Sequence, residues 1–144
     1  MAGGEIGPPA IIAHSRDQAL AAAAAAVALG RPLVLRSPPG AASSHGVGWF
    51  AALTALLRER HPALDLAFIL DCGDEAGTAM AALRRGIDRV RFTGPAHVVE
   101  RLAGIAAGTG AALDHDARPP LDLARAVDAE EQCRRWLCAA PWQP

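Results

Sequence analysis

The residues best suited to chemistry lie where apolar runs give way to polar turns. One group is Arg36-Ser37-Pro38-Pro39-Gly40-Ala41-Ala42-Ser43-Ser44-His45-Gly46, in which a guanidinium, hydroxyls and small residues precede a helical pattern. Backbone amides at such a junction, beside an arginine, suit a phosphate or a carboxylate. The spacing matches neither the dinucleotide glycine fingerprint nor the Walker loop. Thr93-Gly94-Pro95 is a second, smaller junction of the same kind, with a proline where a helix begins.

A thiol follows. Cys72 sits between Asp71 and Gly73, with Asp74 and Glu75 just beyond, at the end of an apolar run. The position favours a reactive thiolate, whereas the neighbouring carboxylates oppose a negative sulfur. The remaining group is imidazole. His14, His45, His97 and His115 all follow apolar runs, as do Asp71, Asp74, Asp114 and Asp116. Such a set has the donors for a divalent cation or an acid–base pair, yet no HExxH or other tight ligand spacing is present, so no metal is assigned.

The elements that position these groups are legible from the cadence of the chain. Apolar runs at Pro9 to Ala13, Pro32 to Leu35, Leu66 to Leu70, Arg89 to Phe92 and Gly110 to Leu113 alternate with helical stretches. The expected fold is α/β: a three-layer α/β/α sandwich of about five mostly parallel strands, flavodoxin-like or Rossmann-like. In such sheets ligands bind outside the carboxyl ends of the strands, so His45, Asp71, Thr93 and His115 are expected along one rim. Ser15 with Gln18 matches a capping box, and the alanine-rich segment after it forms a smooth helix ending at Gly30. Residues 1–8, rich in glycine and proline, are expected to be a disordered tail, and 9–144 a single domain. A last helix is expected from near Pro120, with Cys133, Trp136, Leu137, Cys138 and Trp142 docking it on the body or on a second copy of the chain.

Composition narrows the chemistry. With 14 basic and 15 acidic residues the formal net charge is -1, which gives no electrostatic case for nucleic acid or an anionic membrane. Every basic side chain other than histidine is arginine, so Schiff-base lysines, the Walker lysine and the lysine of a receiver domain are excluded. Cys72, Cys133 and Cys138 are too few for a disulfide scaffold, and no secretory or membrane-spanning segment is apparent, so a cytoplasmic setting is expected.

Leu70-Asp71-Cys72-Gly73, then Gly77, Ala81, Ala82, Leu83 and Gly86, together with Arg36 to Ala42, resembles a small family of bacterial flavodoxin-like α/β proteins. The resemblance implies a fold and brings no activity with it. The function expected from the residues is binding of a small anionic, phosphate- or carboxylate-bearing metabolite by Arg36, Ser37, Gly40, Ser43, Ser44, Thr93 and Gly94. The alternatives are a metal- or cysteine-dependent enzyme using Asp71, Cys72, His45 and His115, and an interaction protein that forms a homodimer through its last helix. No cofactor is assigned.

Overall fold

The computed structural model describes residues 7–139. The elements run β1 (Ile11–Ile12), α1 (Arg16–Leu29), β2 (Leu33–Arg36), α2 (Ala41–His45), α3 (Val47–Arg60), β3 (Leu66–Asp71), α4 (Ala76–Arg84), β4 (Arg89–Arg91), α5 (Ala96–Thr109), β5 (Ala112–Asp114), β6 (Leu121–Asp122) and α6 (Ala129–Ala139). The α/β class expected from the sequence is observed, as an all-parallel sheet packed against helices, with six strands where about five were expected.

The strand order is β5-β4-β3-β2-β1-β6. From β1 to β5 the chain moves one place at a time in one direction, and right-handed crossovers then carry successive helices to the same side. The core agrees. Buried residues of α1 to α6 join Ile11, Leu33, Leu35, Phe68, Leu70, Val90, Phe92 and Leu123 in one cluster. The other face of the strands holds a smaller cluster of Ala10, Val34 and Ile69, with Ala67 packed on it. The two faces of the sheet are therefore unequal.

Local sequence explains the elements. Ser15 caps α1, its Oγ accepting from the Gln18 amide at 3.1 Å, while Gln18 Oε1 accepts from the His14 amide at 2.8 Å. The alanines of α1 are fully buried at Ala19, Ala22, Ala23, Ala25 and Ala26, which lets α1 approach both the sheet and α6 closely. Phe50 of α3 meets Phe68 of β3 edge-on with centroids 4.4 Å apart, a pairing worth about 0.5–1.5 kcal/mol beyond its buried area. The stripe of α5 runs through Leu102 and Ala106, and Ile105 is 38% exposed. Gly94 is required by packing, because a Cβ there would lie 2.3 Å from Phe92 Cζ.

The carboxyl-terminal region departs from expectation. Leu121–Asp122, read as the start of a helix, is instead β6, with the Leu121 amide donating to Ala10 O at 2.9 Å and the Leu123 amide to Ile12 O at 3.1 Å. The helix starts at Ala129, where Asp128 Oδ1 accepts from the Glu131 amide at 3.1 Å. Cys133 and Leu137 are fully buried, and Trp136 Nε1 donates to Pro9 O at 3.4 Å, so α6 docks on its own chain. At the other end Pro8 is buried, so the body reaches back into the segment expected to be a tail. The first six residues of that expected tail, and Trp142, lie outside the described residues.

Candidate functional site

Strand alternation assigns the site to one face. Leu35, Leu70, Val90 and Leu113 point toward the helices, so the next residues, Arg36, Asp71, Arg91 and Asp114, point to the opposite face. Each is the last residue of its strand. In register Asp71 pairs with Arg91, and Arg91 with Asp114, while Arg36 lies between Ile12 and Ile69. The carboxyl edge of this face therefore carries a row of alternating charge.

Most of that charge is committed. Arg91 Nη1 donates to Asp114 Oδ2 at 2.6 Å and to Asp116 O at 3.0 Å. Arg118 donates through Nε to Asp116 Oδ1 at 3.0 Å and through Nη2 to Oδ2 at 2.6 Å, a bidentate clamp, while its Nη1 reaches Gly7 O at 3.1 Å. The hydrogen bond from Arg118 holds the Asp116 carboxyl below its ordinary value. Asp71 Oδ1 accepts from the amides of Gly40 at 3.1 Å and Gly73 at 2.8 Å, and the Asp71 amide donates to Ser37 Oγ at 2.9 Å. Asp71 thereby ties the loop after β2 to the loop after β3.

Arg36 is the exception. It is only 8% exposed, and its guanidinium makes no hydrogen bond or ion pair with the described residues. Burial, and then the nearby Arg91, lowers its pKa, against the opposing pull of Asp114, Asp71 and Asp116. A guanidinium carries five fixed donors and does not give up its proton in a protein. Left without acceptors in the interior, it is a costly group to keep.

The other expected contacts are largely used within the chain. Ser37 is buried beneath the Asp71 amide, and Ser43 Oγ donates to Glu75 Oε2 at 2.8 Å. Ser44 Oγ lies 2.9 Å from His45 Nδ1, and His45 stacks against Trp49 with centroids 5.1 Å apart. The sequence suggested free amides in this loop, and three of them are engaged within the chain. The amides of Gly40, Ala41 and Ser43 go to Asp71, Pro38 O and Gly40 O respectively, and α2 and α3 start without a side-chain cap. With Gly40 at φ 69, a left-handed turn closes the loop on itself.

The expected rim exists, but its members do not converge. His45, Asp71, Thr93 and His115 each follow or end a strand at the carboxyl edge, with His45, Thr93 and His115 exposed. Among the described residues no group of His, Cys, Asp and Glu gathers to hold a metal ion. His14 instead pairs with Asp122 at 2.6 Å, joining the ends of β1 and β6. Cys72 is 1% exposed, and burial, reinforced by Asp71 and Glu75, pushes its thiol up to about 12. It is a protonated core residue at neutral pH. Arg91 and Arg118 were not singled out from the sequence; the parity of each strand, counted from its buried leucine or valine, is the signal for Arg91.

Two concavities lie elsewhere, at the amino-terminal edge of the sheet. One, of about 500 Å³, runs from Ala26 to Pro32 and from Arg60 to Asp65, and one of about 140 Å³ lies between α3 and the Gly86 turn. Neither includes the charged row. No protein-family model and no curated protein matches the chain. Among the described residues no helix is long and apolar enough to cross a membrane.

Proposed function

We propose that this protein binds a small oxyanion at the carboxyl edge of its sheet, with Arg36 as the principal contact. The observation that carries the reading is the buried guanidinium without an acceptor among the described residues, near Arg91, whose own donors already go to Asp114 and Asp116 O. A bound oxyanion supplies the missing oxygens in the planar arrangement that arginine favours. Unpaired cysteines at Cys72, Cys133 and Cys138 are in keeping with a reducing, cytoplasmic setting.

The alternatives have less support. A cysteine-dependent enzyme lacks a nucleophile when the Cys72 thiol titrates near 12. Dimerisation through α6 competes with the packing of Cys133, Trp136 and Leu137 inside the chain. The test is a melting curve in the presence of carboxylate, phosphate and sulfate salts at constant ionic strength. A saturable rise is expected in the unaltered chain and none in Arg36→Met. A rise of equal size in the variant refutes the assignment.

A further inference from the structure

We infer that the ligand is a short aliphatic monocarboxylate rather than a phosphate or sulfate dianion. This rests on the oxyanion reading above and narrows it.

Donor supply is the first argument. Phosphate sites ordinarily combine a cation with several backbone amides at a loop or helix start. Here three amides of the loop beside Arg36 are engaged within the chain: Gly40 on Asp71, Ala41 on Pro38 O and Ser43 on Gly40 O. One guanidinium edge satisfies both oxygens of a carboxylate, whereas a phosphate or sulfate bound the same way keeps two further oxygens in need of donors.

Charge is the second. Arg91 is engaged by Asp114, and Arg118 by Asp116, so a second negative charge meets the carboxylates of Asp71, Asp114 and Asp116 instead of another open guanidinium. Desolvation of a buried ion also grows with the square of its charge. Both effects penalise a dianion more than a monoanion. Shape is the third. In register Arg36 is bracketed by Ile12 and Ile69, which are buried on the same face as Val34 and Ala10, so an aliphatic patch borders the base of the arginine and can take the tail of a ligand whose carboxylate meets the guanidinium.

The experiment follows the Arg36 Nε–H resonance by nitrogen–proton NMR, assigned by its loss in Arg36→Met. Butyrate, butyramide and sulfate are titrated at pH 7 and constant ionic strength. Butyrate is expected to shift the resonance saturably, with sulfate at least about tenfold weaker and butyramide without effect. Sulfate binding as tightly as butyrate overturns the monocarboxylate assignment while leaving an oxyanion site in place, and butyramide matching butyrate overturns it as well. If neither anion perturbs Arg36, the oxyanion reading itself fails. Melting temperatures of the unaltered chain with the same compounds give the same ranking without any variant.

Discussion

Replacing Arg36 by methionine should stabilise the empty protein. The guanidinium is 8% exposed, lacks a hydrogen-bond acceptor, and sits where burial and Arg91 together outweigh the attraction of Asp114, Asp71 and Asp116. Its lowered pKa means that the surroundings favour the neutral form more than water does. Methionine is of similar length, carries no charge, and meets Ile12 and Ile69 on either side. The carboxylates left behind keep their own partners: Asp114 has Arg91, Asp116 has Arg118, and Asp71 has two backbone amides. Exchanging buried charge for apolar side chains of similar volume is commonly neutral to stabilising by about 1–4 kcal/mol. Allowing for the lost attraction, a gain of roughly 1–3 kcal/mol is expected, or a rise in melting temperature of roughly 3–12 °C for a chain of this size. Urea denaturation measures it: the midpoint should rise with an unchanged m value. A loss of about 1 kcal/mol or more would show that Arg36 is held by contacts that stabilise the fold, and the argument for a waiting ligand site would be wrong. The combination of higher stability and lost anion response is the signature of a residue retained for binding.

Other outcomes follow from the same geometry. Gly94→Ala should destabilise by about 1–3 kcal/mol, because the new Cβ meets Phe92 Cζ at 2.3 Å and Cε2 at 2.7 Å, and Phe92→Leu should recover part of the loss in a double-mutant cycle. At pH 8 a disulfide reagent should modify exposed Cys138 readily and Cys72 and Cys133 only after unfolding; rapid labelling of Cys72 in the folded protein would contradict its burial. Because burial raises Cys72 to about 12 and Cys133 to about 11, the unfolded thiols ionise first, and stability should decline as pH rises from about 9 toward those values. At the acid end the sign reverses. Asp116 is held low by Arg118, so its contribution is present above the ordinary carboxylate value and is lost as pH falls through the folded value.

The parts of this architecture that were legible in the sequence are those decided locally. Leu66 to Leu70 reads as a buried strand because it is continuously apolar, and Ser15 with Gln18 reads as a helix start because the cap bonds lie within a few residues. Strand β6 has only Leu121 and Asp122, too short for any period to show, and its partner Ile11 lies more than a hundred residues away. Strand order is likewise set by how the crossovers travel, and that order decides what a polar residue in a strand means. Alternation alone reads Arg89-Val90-Arg91 as a less completely buried strand. With the helices α1 to α6 sharing one core, the same alternation places Val90 in that core and turns Arg91 toward Asp114 on the other face. Arg36 could be named from the sequence because it ends a strand beside a polar loop; that its guanidinium lacks an acceptor among the described residues depends on Arg91 having paired with Asp114 and Arg118 with Asp116. The free amides proposed for the Gly40 loop failed for the complementary reason. Asp71, far along the chain, claims the Gly40 amide, and the adjoining turn gives the Ala41 and Ser43 amides to Pro38 O and Gly40 O.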